Sequence, residues 1–253
     1  RDLCFNTGEN SLEAAVIGLM FGLMLPAVIP WWVVLTGTFV AVIIAKMIFG
    51  GSGANPFNPA LTGMAILMMS WPTFFDLDAA LVNYEFNFTE FAPLAAVKFM
   101  GAGAADMFPV SDLLMGKEVG AIGSTFAAGI IFGGVYLILK GYIRWEITVS
   151  YIAGILITAL LFNMNDSSNY AGPLFHLLSG YTLLGAFFLA TENSSSPVNT
   201  IPMLIYGAFG GMMTMLIRNI GAFADGVIYA ILVINLINPL LDKIRPKALG
   251  KVV

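Results

Sequence analysis

The chain has 253 residues, 58% of them hydrophobic and 10% charged, with a mean hydropathy of +0.88. Soluble domains carry about 25% charged residues, so there are too few charges here to cover a water-soluble globule, and the composition points to a lipid bilayer. The net charge of −4 and the pI near 4.9 exclude a nucleic-acid binder. The single cysteine, Cys4, excludes an intrachain disulfide, a CxxC metal site or an iron–sulfur cluster, and the single histidine, His176, excludes a bis-His haem within the chain.

A membrane-spanning helix needs about 20 mostly apolar residues. Eight stretches read this way, at about 13–30, 31–49, 58–72, 122–140, 145–163, 174–191, 200–217 and 225–242. Pro26 and Pro30 interrupt the first, and the third is short. Residues 31–49 hold one charge, Lys46, near their end. Between the third and fourth spans lies segment 73–121, with seven acids (Asp76, Asp78, Glu85, Glu90, Asp106, Asp112, Glu118) against Lys98 and Lys117. Cytoplasmic loops carry excess Lys and Arg. The tail with Lys243, Arg245, Lys247 and Lys251 therefore places the C-terminus in the cytoplasm. Counting back puts residue 13, Lys46 and the Lys140–Arg144 loop on the same side, and segment 73–121 outside. Trp31, Trp32, Trp71 and Trp145 all fall at span ends, as an aromatic belt requires.

The chain repeats itself weakly at an offset of about 170 residues, in the manner of transport folds with inverted repeats. PAVIPWWVVLTGTF, around Gly37, parallels PVNTIPMLIYGAF, around Gly207, and residues 55–61 (NPFNPAL) parallel residues 225–231 (DGVIYAI). The helices concerned are the second and seventh spans, which run in opposite directions. In this register Asp225 is the mate of Asn55. Gly207, Gly210 and Gly211 are expected to allow close helix contact.

The most informative stretch is GGSGANPFNPALTG, residues 50–63. Its glycines and prolines break both flanking helices, and non-helical backbone at membrane depth survives only where protein or a cavity satisfies it. Asn55 and Asn58 offer amide groups there to a polar heterocycle or a cation. Asn58 can equally be no more than the N-cap of a helix with Pro59 at its first position. Asp225, before Gly226, can cap the eighth span or touch an ion or ligand. Arg218 can pair with Asp225, reach a phosphate, or snorkel to the interface. His176 can relay protons, although a hydrogen-bonded interfacial histidine is the plainer reading.

Three motifs in order resemble the RnfD/NqrB family, RnfD more closely. They are GGSGANPFNPALTGMAILMMSWP from Gly50, HLLSGYTLLGAFFLATENSSSPVNT at 176–200, and IRNIGAFADGVIYAILVINLINPLLDKIRP at 217–246. The resemblance covers roughly residues 13–247. It implies an all-α polytopic bundle with inverted repeats and broken helices, similar to urea transporters. The expected layout is a single membrane domain over 1–253. Repeat one occupies about 13–72, the outer segment 73–121, and the remaining helices and repeat two about 122–247. Family members have further spans upstream, so native N-terminal spans are expected to be missing here.

The resemblance also implies function: a membrane subunit of an Rnf complex that carries electrons by flavin and couples ferredoxin:NAD+ electron transfer to Na+ or H+ movement. Its partners would be membrane and peripheral subunits, including iron–sulfur and flavin subunits, and membrane lipid. Its location would be a bacterial or archaeal cell (inner) membrane. A small-solute transporter or channel, or a flavin-free scaffold, is the alternative. The family holds one FMN through a phosphoester to a threonine, and a riboflavin near the Asn-x-x-Asn that matches Asn55 and Asn58. Here the acceptor position is Ala92, within Thr89-Glu90-Phe91-Ala92-Pro93, and alanine has no hydroxyl. Covalent FMN is therefore not expected on this chain; riboflavin or FMN held noncovalently is, with Asn55, Asn58 and Asp225 as contacts. A second departure is Ser124, which stands where the family commonly has a glutamate. Intramembrane acids usually mark ion paths, so its loss weakens a direct role in moving a cation.

Overall fold

The computed structural model describes residues 10–51, 53–76 and 91–244. Cys4, Thr89, Glu90 and the basic residues Arg245, Lys247 and Lys251 lie outside the described residues. Among those described, every regular element is helical.

Helix α1 (Asn10–Met24) ends before the two prolines, and α2 (Trp31–Met47) starts directly after Pro30. The second half of α2, Val40–Met47, is wound as a π-helix, with the Ile48 N–H donating to Ile43 O at 3.1 Å. Gly50, Gly51 and Gly53 then take positive φ (110°, 89° and 82°), where only glycine avoids strain. The chain reverses through them into α3 (Pro59–Ser70), which carries Pro59 in its first turn. A short 3-10 turn (Pro72–Phe75) follows.

After the undescribed stretch come α4 (Pro93–Met100), a 3-10 turn (Ala102–Met107) and α5 (Val110–Met115). Helices α6 (Ala127–Leu139) and α7 (Trp145–Asn165) are joined by a tight turn at Gly141. Helix α8 (Pro173–Leu178) stops at Ser179, turns at Gly180 (φ 65°) and resumes as α9, Thr182–Leu184 continuing as the π-helix Gly185–Leu189. Helices α10 (Thr200–Asn219) and α11 (Val227–Leu241) complete the bundle.

The expected eight crossings thus correspond to eight helical elements, the sixth broken between α8 and α9. Among the described residues, two helices, α7 and α10, are long and apolar enough to cross alone. The others are shorter. The 12 residues of α3 rise only about 18 Å, against about 30 Å of hydrocarbon. Pro26 and Pro30 end the first span sooner than the hydropathy suggests, because neither can continue a helix without losing a backbone bond.

The core runs between the two halves of the chain. Phe21, Leu61, Met64 and Leu67 pack with Tyr151, Tyr206, Met215, Ile231 and Ile234, all essentially fully buried. Segment 93–115, read from sequence only as an acidic outer stretch, is folded against α8 and α9 through Leu94, Val97, Phe108, Leu113, Phe175 and Phe187. Large apolar side chains such as Leu19, Leu35, Phe132, Leu161 and Leu236 face outward. An exposed apolar surface of this extent suits lipid, not water.

Helices α7 and α10 touch backbone to backbone. A Cβ at Gly207 would collide with Ser150 Oγ and Ile147 O, and one at Gly211 with Tyr151 O. Their closeness lets the Tyr151 hydroxyl meet Thr214 Oγ1 at 2.6 Å in the buried seam. Gly211→Ala is expected to destabilise the folded chain by about 1–3 kcal/mol, the usual cost of overpacking. Gly18→Ala, where a Cβ meets nothing within 4 Å, should be neutral or slightly stabilising. Thermal unfolding of the two variants in one detergent checks the contrast, and equal melting temperatures would contradict the close packing.

Candidate functional site

Helix α9 is held at both ends by polar side chains from other parts of the chain. At its start, the Asp225 carboxylate accepts from the Tyr181 N–H (2.7 Å) and from the Val227 N–H (3.1 Å). One carboxylate therefore serves the N-termini of α9 and α11, where the helix dipoles favour negative charge. At its far end, Asn58 Nδ2 donates to Leu189 O (2.9 Å) while Asn58 Oδ1 caps α3 by accepting from the Leu61 N–H (3.2 Å). Asn58 thus serves the end of α9 as Asp225 serves its start. Asn55 donates to Phe57 O at 3.0 Å and stays within the break. With its amide oxygen accepting from the Asn58 N–H (2.9 Å), Asn235 ties the same break to the Tyr206 hydroxyl.

Asp225 pairs with Arg218. Arg218 is 4% exposed, and its Nη2 lies 2.9 Å from Asp225 Oδ1. The guanidinium also donates to His176 O (2.8 Å), Ser179 O (3.4 Å) and Thr182 Oγ1 (2.7 Å). These groups belong to the α8–α9 break, whose free carbonyls need donors. Gly180 is required at that break, because a Cβ there would strike the Asp225 carboxylate and Leu94. From α4, Lys98 Nζ donates to Arg218 O, Gly221 O and Phe223 O at 3.1, 2.6 and 2.7 Å, closing the C-terminus of α10. Of the three readings of Arg218 from sequence, pairing with Asp225 is the one observed, and burial overturns snorkelling.

A cavity of about 380 Å³ opens beside this pair, and its walls include Ala92, Glu118, Ser124, Gly180, Tyr181 and Asp225. The two positions where the sequence departs from the family pattern, Ala92 and Ser124, therefore face one space together with Asp225. Glu118 is 5% exposed, and its Oε2 has no hydrogen-bond partner among the described residues. Burial, and then the Asp225 charge, push its carboxyl up to about 8, with Arg218 pulling the other way. Sequence reasoning counted Glu118 only among the acids of the outer stretch. Its apolar, glycine-rich setting, Val119-Gly120-Ala121, was the signal that it would be buried. The loop is held on α1 by the Ile122 N–H to Leu25 O (3.1 Å) and the Gly123 N–H to Leu23 O (2.8 Å).

A second, polar cavity of about 410 Å³ has Lys98, His176, Arg218 and Asn219 in its walls. His176 is 3% exposed, and neither ring nitrogen has a partner among the described residues, contrary to the hydrogen-bonded interfacial histidine expected. Asn55 and Asn58 line neither cavity. Near the 48–58 break, Lys46 is buried and paired with Glu13 of α1. Among the described residues, no group of three or more His, Cys, Asp or Glu side chains is gathered to hold a metal ion.

Residues 5–250 match the NQR2, RnfD, RnfE family. The chain is 38% identical to the D-type subunit of the Na(+)-translocating ferredoxin:NAD(+) oxidoreductase complex of Acetobacterium woodii, over 92% of this chain and 71% of the relative. It is 35% identical to the D-type subunit of the ion-translocating oxidoreductase complex of Cellvibrio japonicus (92% and 72% covered). It is 36% identical to the D-type subunit of the proton-translocating ferredoxin:NAD(+) oxidoreductase complex of Clostridium ljungdahlii (91% and 72%).

Two outcomes follow from the geometry. Arg218→Ala removes the cation from the partly buried Asp225 carboxylate and should cost about 3–5 kcal/mol, whereas Asn58→Ala, which loses a cap and one buried bond, should cost about 1–3 kcal/mol. Denaturant unfolding in detergent ranks them, and an Arg218 variant as stable as wild type would contradict the pairing. Glu118 supplies a pH signature. The folded chain keeps this proton up to about pH 8, while an unfolded carboxyl releases it near 4.5. Between these values the folded state binds more protons, so this contribution to stability is complete below 4.5 and is lost as pH rises through 8. Glu118→Gln should flatten that decline by a few kcal/mol in unfolding midpoints measured across the window.

Proposed function

The chain belongs to the NQR2, RnfD, RnfE family, and from that premise we propose that it is the D-type membrane subunit of an Rnf complex. Such a complex couples ferredoxin:NAD+ electron transfer to Na+ or H+ translocation. The observation that carries this reading is the likeness to D-type subunits of such complexes over more than nine-tenths of the chain. The other subunits of the complex, iron–sulfur and flavin proteins among them, are its partners, and a bacterial or archaeal cell membrane is its site. The basic turn at Lys140 and Arg144, the Lys46 end of α2 and the basic C-terminal tail favour one cytoplasmic face. Segment 93–126 and both cavities then lie at the outer face.

The chemistry of a redox subunit belongs to its cofactor, and the protein binds and orients it. A flavin supplies one- or two-electron transfer when bound. Covalent FMN does not fit position 92: Ala92 has no side-chain hydroxyl to form the phosphoester. A noncovalent flavin suits the acidic cavity better, since Phe75, Phe99 and Phe223 give it flat apolar walls and Asp225 a fixed acceptor. At the 48–58 break, Asn58 commits both ends of its amide to Leu61 and Leu189, so its part is to hold the shape of a riboflavin site. Asn55, buried in the turn itself, is the residue we assign as a contact.

Flavin analysis of the purified complex tests the assignment. Acid precipitation should release all flavin associated with this chain, and a denaturing gel should show no fluorescent band at its mass, in wild type or in Glu118→Gln. A fluorescent band on this chain would contradict the noncovalent assignment, and a complex free of any flavin would remove the redox reading for this subunit.

A further inference from the structure

Glu118 is the acid in the walls of the 380 Å³ cavity that combines more than nine-tenths burial with an oxygen lacking any partner among the described residues. The loop that carries it is pinned to α1 through the backbone of Ile122 and Gly123, which holds the side chain inward. The charged groups that face it are few. Asp225, across the cavity at the start of α11, is negative and already committed to Arg218, Tyr181 and Val227. Arg218 stands behind Asp225. Asp76, also in the cavity wall, is exposed. Lys117, next in sequence, lies 3.6 Å from Asp112 near the surface. Among the described residues, no cation is thus paired with Glu118.

A buried acid without a counter-ion is stable when neutral, because burying an unpaired carboxylate costs far more than holding a proton. We propose that Glu118 is the proton-carrying carboxyl of this subunit, taking up and releasing one proton at the outer end of the bundle. The step is a simple dissociation: the O–H bond of the acid breaks, the proton passes to water, and the carboxylate remains facing the cavity. The fixed Asp225–Arg218 pair sets the field around the group, and any added positive charge in the cavity favours release of the proton. The carboxyl also faces the same space as Ser124, so this chain keeps an acid at the cavity although position 124 has none. The consequence for ion movement rests on the proposed function; the protonation itself does not.

Carbodiimide labelling of the assembled complex in membranes, read by mass spectrometry, tests this, because the reagent attacks protonated carboxyls. Glu118 should be labelled near pH 6, with labelling falling by half near pH 8 and vanishing in Glu118→Gln, while half-buried Asp112, paired with Lys117, stays unlabelled. Wild-type labelling alone decides this arm if the Gln variant fails to assemble. In reconstituted vesicles, Glu118→Gln should lower the charge moved per electron several-fold, and Glu118→Asp should recover part of it. A Glu118 that resists labelling at pH 6 as Asp112 does, or labels as expected while charge per electron is unchanged in Glu118→Gln, overturns the proposal. Failure of wild-type complex to transfer electrons would instead sink the redox reading and leave the labelling result standing.

Discussion

Everything at one end of this bundle depends on the pairing of buried Arg218 with Asp225. A charge inside a membrane protein is tolerated only when it is paired and hydrogen-bonded, and here each partner also serves backbone that would otherwise be orphaned. Asp225 satisfies the first N–H groups of α9 and α11. Arg218 satisfies carbonyls freed where α8 stops. The pair therefore stabilises two helix breaks at once, and Lys98 does the same for the end of α10.

The opposite end of α9 is held by a neutral group in a similar role. Asn58 caps α3 and donates to Leu189 O, so one short helix is gripped from both ends. Tyr181 and Leu189 are eight residues apart, which at 1.5 Å per residue separates the two grips by roughly 12 Å. The difference in charge between the grips follows helix polarity. The start of α9 presents N–H groups and receives a carboxylate, while its end presents carbonyls and receives an amide donor. The shortness of most helices has the same origin. Each break shortens two helices, and glycines at 50, 51, 53 and 180 supply the positive φ angles that make the turns tight enough to stay within the protein.

The acidic cavity joins residues that lie far apart along the chain. Ala92 and Ser124 looked like two separate losses, one of a flavin anchor and one of an intramembrane acid. In three dimensions they share a wall with Glu118 and Asp225. The space is therefore not stripped of chemistry; its acid sits six residues earlier in the chain, on a loop packed against α1. His176 shows the converse. It was an obvious residue because it is the chain's single histidine, yet its ring is buried with both nitrogens unbonded among the described residues.

Composition alone determined that this chain is a membrane bundle, because charge density and apolar run length are averages that no tertiary contact alters. The positions of the main helix breaks were also legible, at residues 50–58 and 220–226, since glycine and proline act locally. So was the close contact of Gly207 and Gly211. Tertiary structure alone decided which polar groups meet. Asp225 could be read as a cap, a ligand contact or a partner of Arg218, and only the fold brought it to Tyr181, 44 residues away in sequence. It likewise turned segment 93–126 inward and buried Glu118. Periodicity reports which face of a helix is apolar, but a loop has no period, so the burial of a loop acid depends on what packs over it.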